Sequence, residues 1–175
     1  MKKEELNWLY KSMKHVPNGS IVVEIGSWVG ASGSFLAKGI QRWSPRSLLH
    51  CVDPFDMDYI NSKKGLTKKM RNLDKLPYDA FRERMKPYRY SLIRLKSEDA
   101  VKQFDDESVS FLFIDGNHDY EYVKKDILLW WSKMAPGSIM CGHDYTKPGV
   151  EEAVKECCSI FTLPVGTIWK SVKFQ

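Results

Sequence analysis

Apolar positions along the chain follow two rhythms in alternation. Leu6, Leu9, Tyr10 and Met13 recur at helical spacing, so residues 4 to 15 read as a leading amphipathic helix with His15 solvated at its end. After a Pro17-Asn18-Gly19 turn, Ile21-Val22-Val23-Glu24-Ile25 forms a short β-branched run. A glycine-bearing loop follows, then a helix to about Trp43, and residues 48 to 52 read as a second strand ending at Asp53-Pro54. Residues 91 to 95 are a third strand, with a short helix from Glu98. The run from 109 to 114 is continuously apolar, as in a strand buried on both faces of a parallel sheet.

Val123, Ile127, Trp130, Trp131 and Met134 mark one helical stripe, read as core and stopped by Pro136-Gly137. Residues 139 to 141 are a fifth strand, and Val150, Ala153, Val154, Cys157 and Cys158 make a further helical face. Residues 161 to 165 and 167 to 172 are two β runs joined at Gly166, the pattern of a hairpin. Strands alternating with helices predict an α/β fold: a Rossmann-like, doubly wound, mostly parallel sheet with right-handed crossovers and an antiparallel hairpin at its edge. Ligands of such sheets bind at the carboxyl ends of the strands.

Residues 55 to 89 break this rhythm. They are polar, with Lys63, Lys64, Lys68, Lys69 and Arg71 clustered, and read as an inserted helical excursion within a single domain spanning 1–175. The excursion is either a solvated surface segment or a substrate lid.

Composition changes the picture only slightly. At 175 residues, 43% hydrophobic and 28% charged, the chain fits one globular domain with a sizeable core. Its net charge of +5 permits an anionic partner without demanding one. The four cysteines, at 51, 141, 157 and 158, lack the spacing of a zinc site and read as buried, reduced thiols. The stretch MKKEELNWLYKSMK has no signal-peptide core and no run reaches membrane-spanning length, so a cytoplasmic protein without a membrane partner is expected. Trp43 and Trp169 are candidates for the core or for contact between copies in a homo-oligomer.

The loop after the first strand, within IVVEIGSWVGASGSF, carries the chemistry. A dinucleotide site wants three glycines as G-x-G-x-x-G; here the middle one is Trp28, and Glu24 would repel a pyrophosphate. The G-K-[ST] phosphate signature is absent. Glu24 becomes useful if the ligand carries an ammonium and a sulfonium. Gly26 and Gly30 then permit close backbone approach, and the helix amides suit a carboxylate. S-adenosylmethionine has those groups. Ser27 and Ser32 lie in the same loop and join the cofactor-binding candidates. Asp53, ending the second strand, suits two ribose hydroxyls or opens a turn; Ser97 and Glu98, after the third, suit an adenine edge or cap a helix.

VVEIGSWVGAS, CVDPFD, FLFIDGNHDYEYVKKDILLWW and APGSIMCGHDY together resemble the class I S-adenosylmethionine-dependent methyltransferases. They are most similar to a small bacterial and phage group marked by I-D-G-x-H-x-Y and G-H-D. The resemblance covers about residues 20 to 172 apart from the excursion. It implies a seven-stranded sheet with an antiparallel last strand, and cofactor contacts at Glu24, Gly26, Gly30, Asp53, Ser97 and Glu98.

Asp115, His118 and Tyr120 emerge from the fourth strand and His143-Asp144 from the fifth, so both clusters open on one rim if those strands are neighbours. Asp115, His143 and Asp144 are candidates to hold magnesium or manganese. The similar catechol-type enzymes place an acid at the first position and Asp-Asn at the second; His143-Asp144 departs from that pattern. His118 stands where that group carries a catalytic lysine, and a near-neutral imidazole suits removal of a hydroxyl proton. His118, Asp115 and Asp144 are thus the catalytic candidates, and a hydroxyl on a small molecule or sugar is the expected acceptor. The [DNS]-P-P-[YFW] loop of nucleobase methylation is absent, which argues against nucleic acid, although the basic excursion leaves an RNA-directed reading open. A non-catalytic cofactor-binding module remains the other alternative.

Overall fold

The computed structural model describes residues 1–55 and 76–173. Seven strands form one sheet: β1 (Ile21–Ile25), β2 (Leu48–Val52), β3 (Tyr90–Ile93), β4 (Val109–Ile114), β5 (Met134–Gly142), β6 (Thr162–Val165) and β7 (Ile168–Val172). Their order is β3-β2-β1-β4-β5-β7-β6. The first five pair in parallel, and β7 runs antiparallel to both β5 and β6. The expected hairpin is present, but its second strand inserts beside β5 and leaves β6 as the edge.

The helices are α1 (Lys3–Ser12), α2 (Ala31–Trp43), α3 (Pro77–Met85), α4 (Ser97–Ala100), α5 (Tyr120–Trp131) and α6 (Pro148–Cys157). They cover both faces because alternate residues of each central strand are apolar. On one face Val22, Phe111 and Phe113 pack with Leu9, Leu36 and Ile40. On the other, Val23, Leu112 and Ile114 pack with Val123, Ile127, Trp130 and Val154. Among the described residues no helix is long and apolar enough to cross a membrane.

Several boundaries differ from the sequence pattern. The helical stripe was expected to reach Met134; α5 instead ends at Trp131, and Met134 opens β5. Pro136-Gly137 lies inside that strand, where the ladder with β4 jumps from Val109↔Met134 to Phe111↔Ile139. The bulge tolerates a proline without an N–H, and the Gly137 N–H is taken by Lys173 O at 2.8 Å. β3 stops at Ile93, and Leu95 is exposed. Trp169 is wholly buried, and Trp43 packs on Tyr10 with ring centroids 4.5 Å apart. Three cysteines are buried, Cys157 is half-buried, and all four are free.

The described end of the excursion is amphipathic, with its charged residues exposed and one apolar side packed on the domain. Phe81 and Met85 of α3 are fully buried against the α1–α2 face of the sheet. The lysine cluster falls on 56–75, outside the described residues, and the lid reading of 55–89 extends over that same stretch.

Candidate functional site

Parallel register lines up the residues that follow each strand. Val52 pairs with Ile93 and Ile25, Ile25 with Ile114, and Ile114 with Gly142. One step further, the ladder continues through Asp53 N to Ile93 O, Gly26 N to Val52 O, Asp115 N to Ile25 O and His143 N to Ile114 O, at 2.8–3.2 Å. Asp53, Gly26, Asp115 and His143 therefore stand in a row at the carboxyl edge, with the order of the strands reversing between β1 and β4. That is the position at which doubly wound sheets bind ligands.

The β1–α2 loop is shaped by left-handed residues. Gly26 (φ 84°), Trp28 (φ 40°) and Gly30 (φ 72°) turn the chain, and the Gly30 N–H closes the turn on Ser27 O at 2.7 Å. A Cβ on Gly26 would stand 2.6 Å from the Cα of Gly116, so this glycine lets the β1–α2 and β4–α5 loops touch. Asp53 fixes the loop from the other side. Its Oδ2 accepts the Trp28 N–H and its Oδ1 the Phe55 N–H, both at 2.7 Å. Burial pushes the Asp53 carboxyl up, and those two N–H donors oppose it.

Glu24 points from β1 toward α2 and is completely buried. It fits because Gly33 has no side chain; a Cβ there would come within 2.7 Å of Glu24 Oε2. Neither Glu24 oxygen has a well-formed hydrogen bond, and the Ser27 hydroxyl is also unpartnered. Burial raises the Glu24 carboxyl to about 7; the facing Ser32 and Ser27 hydroxyls oppose this, and the charges of Asp115 and Asp53 add to it. Two orphaned acceptors and an orphaned hydroxyl beneath a glycine loop fit a cationic, hydrogen-bonding ligand group, reached directly or through water.

Ser97 and Glu98 are engaged in other ways. Ser97 Oγ accepts the buried indole N–H of Trp130 at 2.8 Å, and Glu98 pairs with Lys125 at the surface. Tyr120 opens α5 and its hydroxyl meets Glu156 of α6.

At the rim, His118 Nε2 lies 3.0 Å from Asp144 Oδ2 and 3.7 Å from Asp115 Oδ1. Asp115, His118 and Asp144 bring donor atoms within 4.8 Å of one another. His143, expected with the two acids, is turned inward: its Nδ1 lies 3.2 Å from Asp144 Oδ1, and its Nε2 lies 3.1 Å from Oε2 of Glu5. Lys147 Nζ bonds Asp144 Oδ2 at 2.5 Å. Asp144 itself has φ 59°, a left-handed conformation that redirects its side chain toward His118.

These contacts set the charges. His118 and His143 lie against Asp144 and hold its carboxyl well below the usual range. Burial would lower His143, but the Asp115 and Asp144 carboxylates beside its Nδ1 raise it to about 10. For His118 burial also opposes charge, and the Asp115 and Asp144 carboxylates beside it outweigh it, raising the imidazole from its usual value. A larger hollow of about 180 Å³, lined by Ile21, His50, Ser91 and Phe104, lies at the opposite edge of the sheet, away from these loops.

Glu5, Thr167 and Lys147 were not expected in the site. No local pattern marks them: Glu5 lies 138 residues from His143 and reads as an ordinary acid in the first turn of a helix.

Fold and rim together define a doubly wound α/β domain with a glycine loop beside an acid–imidazole cluster. The chain belongs to the methyltransferase domain family, whose model matches residues 23–145. Solved structures of similar fold include the O-methyltransferase NovP, at TM-score 0.76 and 14% identity over 98% of this chain and 80% of that one. An O-methyltransferase from Bacillus cereus in complex with SAH gives 0.68 and 15% over 99% and 82%. CalS11, a TDP-rhamnose 3′-O-methyltransferase of calicheamicin biosynthesis, gives 0.64 and 14% over 97% and 77%. A curated relative, uncharacterized protein y4gI of Sinorhizobium fredii (strain NBRC 101917 / NGR234), is 38% identical over 53 residues. That stretch is 30% of this chain and only 6% of the relative.

Proposed function

We propose that the domain binds S-adenosylmethionine and methylates a hydroxyl of a small molecule or sugar, with His118 as the base. The observation that carries this reading is the contact between the two loops at Gly26 and Gly116. It sets the glycine loop directly beside the His118–Asp144 pair. Family membership supports methyl transfer, and similar folds in O-methyltransferases, one acting on a TDP-sugar, support a hydroxyl acceptor.

S-adenosylmethionine supplies an activated methyl on a sulfonium, so the protein has only to align the acceptor and take its proton. Glu24 and Ser27 would hold the ammonium end, and the α2 amides after Gly30 would serve the carboxylate. Asp53 has lone pairs left for ribose hydroxyls beyond the two N–H groups it accepts. Ser97, which keeps its hydroxyl proton to donate, and Glu98 would serve the adenine. The His118 ring would take the acceptor proton at Nδ1, its other nitrogen, as the acceptor oxygen bonds the methyl and the methyl–sulfur bond breaks, while Asp144, 3.0 Å from Nε2, orients the ring and stabilises the imidazolium.

A second reading rests on the three donor atoms within 4.8 Å, which suit a divalent ion such as magnesium or manganese. Lys147 already places a positive charge on Asp144 Oδ2, so an ion would have to displace an ammonium. A screen of hydroxylated acceptors with methyl-labelled cofactor, run with added magnesium or manganese and with chelator, tests both readings. Turnover that survives chelation and is lost in His118→Ala supports the base. Turnover abolished by chelation and restored by the ion supports the metal.

A further inference from the structure

The Glu5 carboxylate does more than cap a helix. It is 1% exposed and lies beneath the rim, where it takes N–H or O–H groups from three parts of the chain. Oε2 accepts the Lys2 N–H at 2.6 Å and faces His143 Nε2 at 3.1 Å. Oε1 accepts the Thr167 N–H at 2.9 Å and its hydroxyl at 3.1 Å. Gly166 makes room for this approach, since a Cβ there would stand 2.9 Å from Glu5 Cδ. An ordinary capping glutamate satisfies a helix N-terminus in solvent; this one is sunk between α1, the end of β5 and the β6–β7 turn.

Both partners lead to Asp144. Through His143, the ring bonded to Glu5 presents Nδ1 to Asp144 Oδ1 at 3.2 Å and to Asp115 Oδ1 at 3.6 Å. Through Thr167, the hydroxyl that donates to Glu5 accepts the Asp144 N–H at 3.3 Å. One carboxylate thus fixes the backbone and the side chain of a residue held at a left-handed φ of 59°. The other Asp144 oxygen is the one beside His118.

We propose that Glu5 is a positioning residue of the methyl-transfer site, holding His143 and Thr167 so that the Asp144 carboxylate is aimed at His118. This rests on the reading of His118 and Asp144 as the base and its orienter. Glu5 touches neither acceptor nor cofactor and acts through two residues of its own chain. A ring free to rotate at position 143 would release Asp144 Oδ1, and Asp144 would then turn away from His118. Small displacements of this kind are costly in a site that works by alignment.

Glu5→Gln keeps the shape and one oxygen but cannot accept from both Thr167 and His143 in the same way. The expected result is a fall in kcat of about tenfold to a hundredfold, with the KM for S-adenosylmethionine and the adenosylhomocysteine Kd little changed. His143→Gln breaks the same chain from its other end and should show the same pattern if Glu5→Gln folds poorly. In an Asp144→Asn background the Glu5 change should cost almost nothing further, because the residue it acts through is already disabled. A purely structural Glu5 predicts a lower Tm with unchanged kcat per cofactor-binding site and additive effects, and that result would overturn the proposal.

Histidine ring NMR gives a readout that needs no acceptor. In Glu5→Gln the ring resonances of both His143 and His118 should move; movement of His143 alone would also overturn it. If His118→Ala is fully active while Glu5→Gln still shifts the His118 resonances, the base reading has failed and the positioning chain has not.

Discussion

The Asp144 carboxylate sits between two imidazoles, with Oδ2 at 3.0 Å from Nε2 of His118. His118 follows β4 and Asp144 follows β5, and the parallel pairing of those strands brings them together. The acid favours the protonated ring, so the site sets the pH at which His118 can act as a base.

A base must be neutral to accept a proton, and its pKa here is raised above 6.5 because Asp115 and Asp144 outweigh burial. The value of kcat/KM should therefore be low in acid and rise through a midpoint above 6.5. Asp144→Asn removes the nearer of the two acids and should move that midpoint down while lowering the plateau. His118→Gln should cost about a hundredfold or more and abolish the acid limb. Initial rates across pH 5 to 9, on one acceptor, check all three.

Glycines with similar φ values should respond very differently to substitution. At Gly26 (φ 84°) a Cβ collides with the Asp115 and Gly116 backbone, whereas at Gly137 (φ 77°) nothing lies within 4 Å. Gly137→Ala should cost only the left-handed strain, about 1 kcal/mol. Gly26→Ala must push two loops apart and should cost about 3 kcal/mol as well as cofactor binding. Urea melts compare stability, and calorimetry with adenosylhomocysteine checks the site.

Much of this arrangement can be read from the sequence because apolar runs set the strand ends, and parallel register then aligns whatever follows. Asp53, Gly26, Asp115 and His143 reach one edge for that reason alone. The boundary errors have nonlocal causes. Pro136-Gly137 reads as a stop because its continuation depends on the Gly137 N–H meeting Lys173 O, a contact made only once β7 has docked. Ser97 reads as a ligand group or cap, and no local pattern announces that its hydroxyl oxygen also accepts the indole N–H of Trp130, 33 residues away. Glu5 is least legible of all, since both its rim partners lie more than a hundred residues downstream.

Glu5 should also shape the acid stability of the fold. Burial would raise its pKa, but the N–H groups of Thr167 and Lys2 and the His143 ring bring it down to about 2 from 4.5. A depressed carboxyl contributes stability that is complete above 4.5 and is lost as pH falls toward 2. Glu5→Gln should flatten that part of the Tm–pH curve while lowering Tm at neutral pH. Calorimetric scans from pH 2 to 7 measure both effects.

Glu24 should show the opposite linkage and reveal its function through it. Its folded pKa is raised from 4.5 to about 7, so between those values the unfolded chain gives up a proton that the folded chain keeps. Stability therefore falls as pH rises through that window, and the full cost is present above it. The shift corresponds to roughly 3 kcal/mol. Glu24→Gln removes the ionisable group, so its stability relative to wild type should improve from pH 4.5 to pH 8. The same change removes the carboxylate that would meet an ammonium, so affinity for adenosylhomocysteine should drop. A bound ammonium would also ionise Glu24, so wild-type binding near pH 6 should release a proton and Glu24→Gln should release none. Titration calorimetry in buffers of different ionisation enthalpy reads that proton directly. Equal proton release by the two proteins would mean that Glu24 is only a buried structural acid.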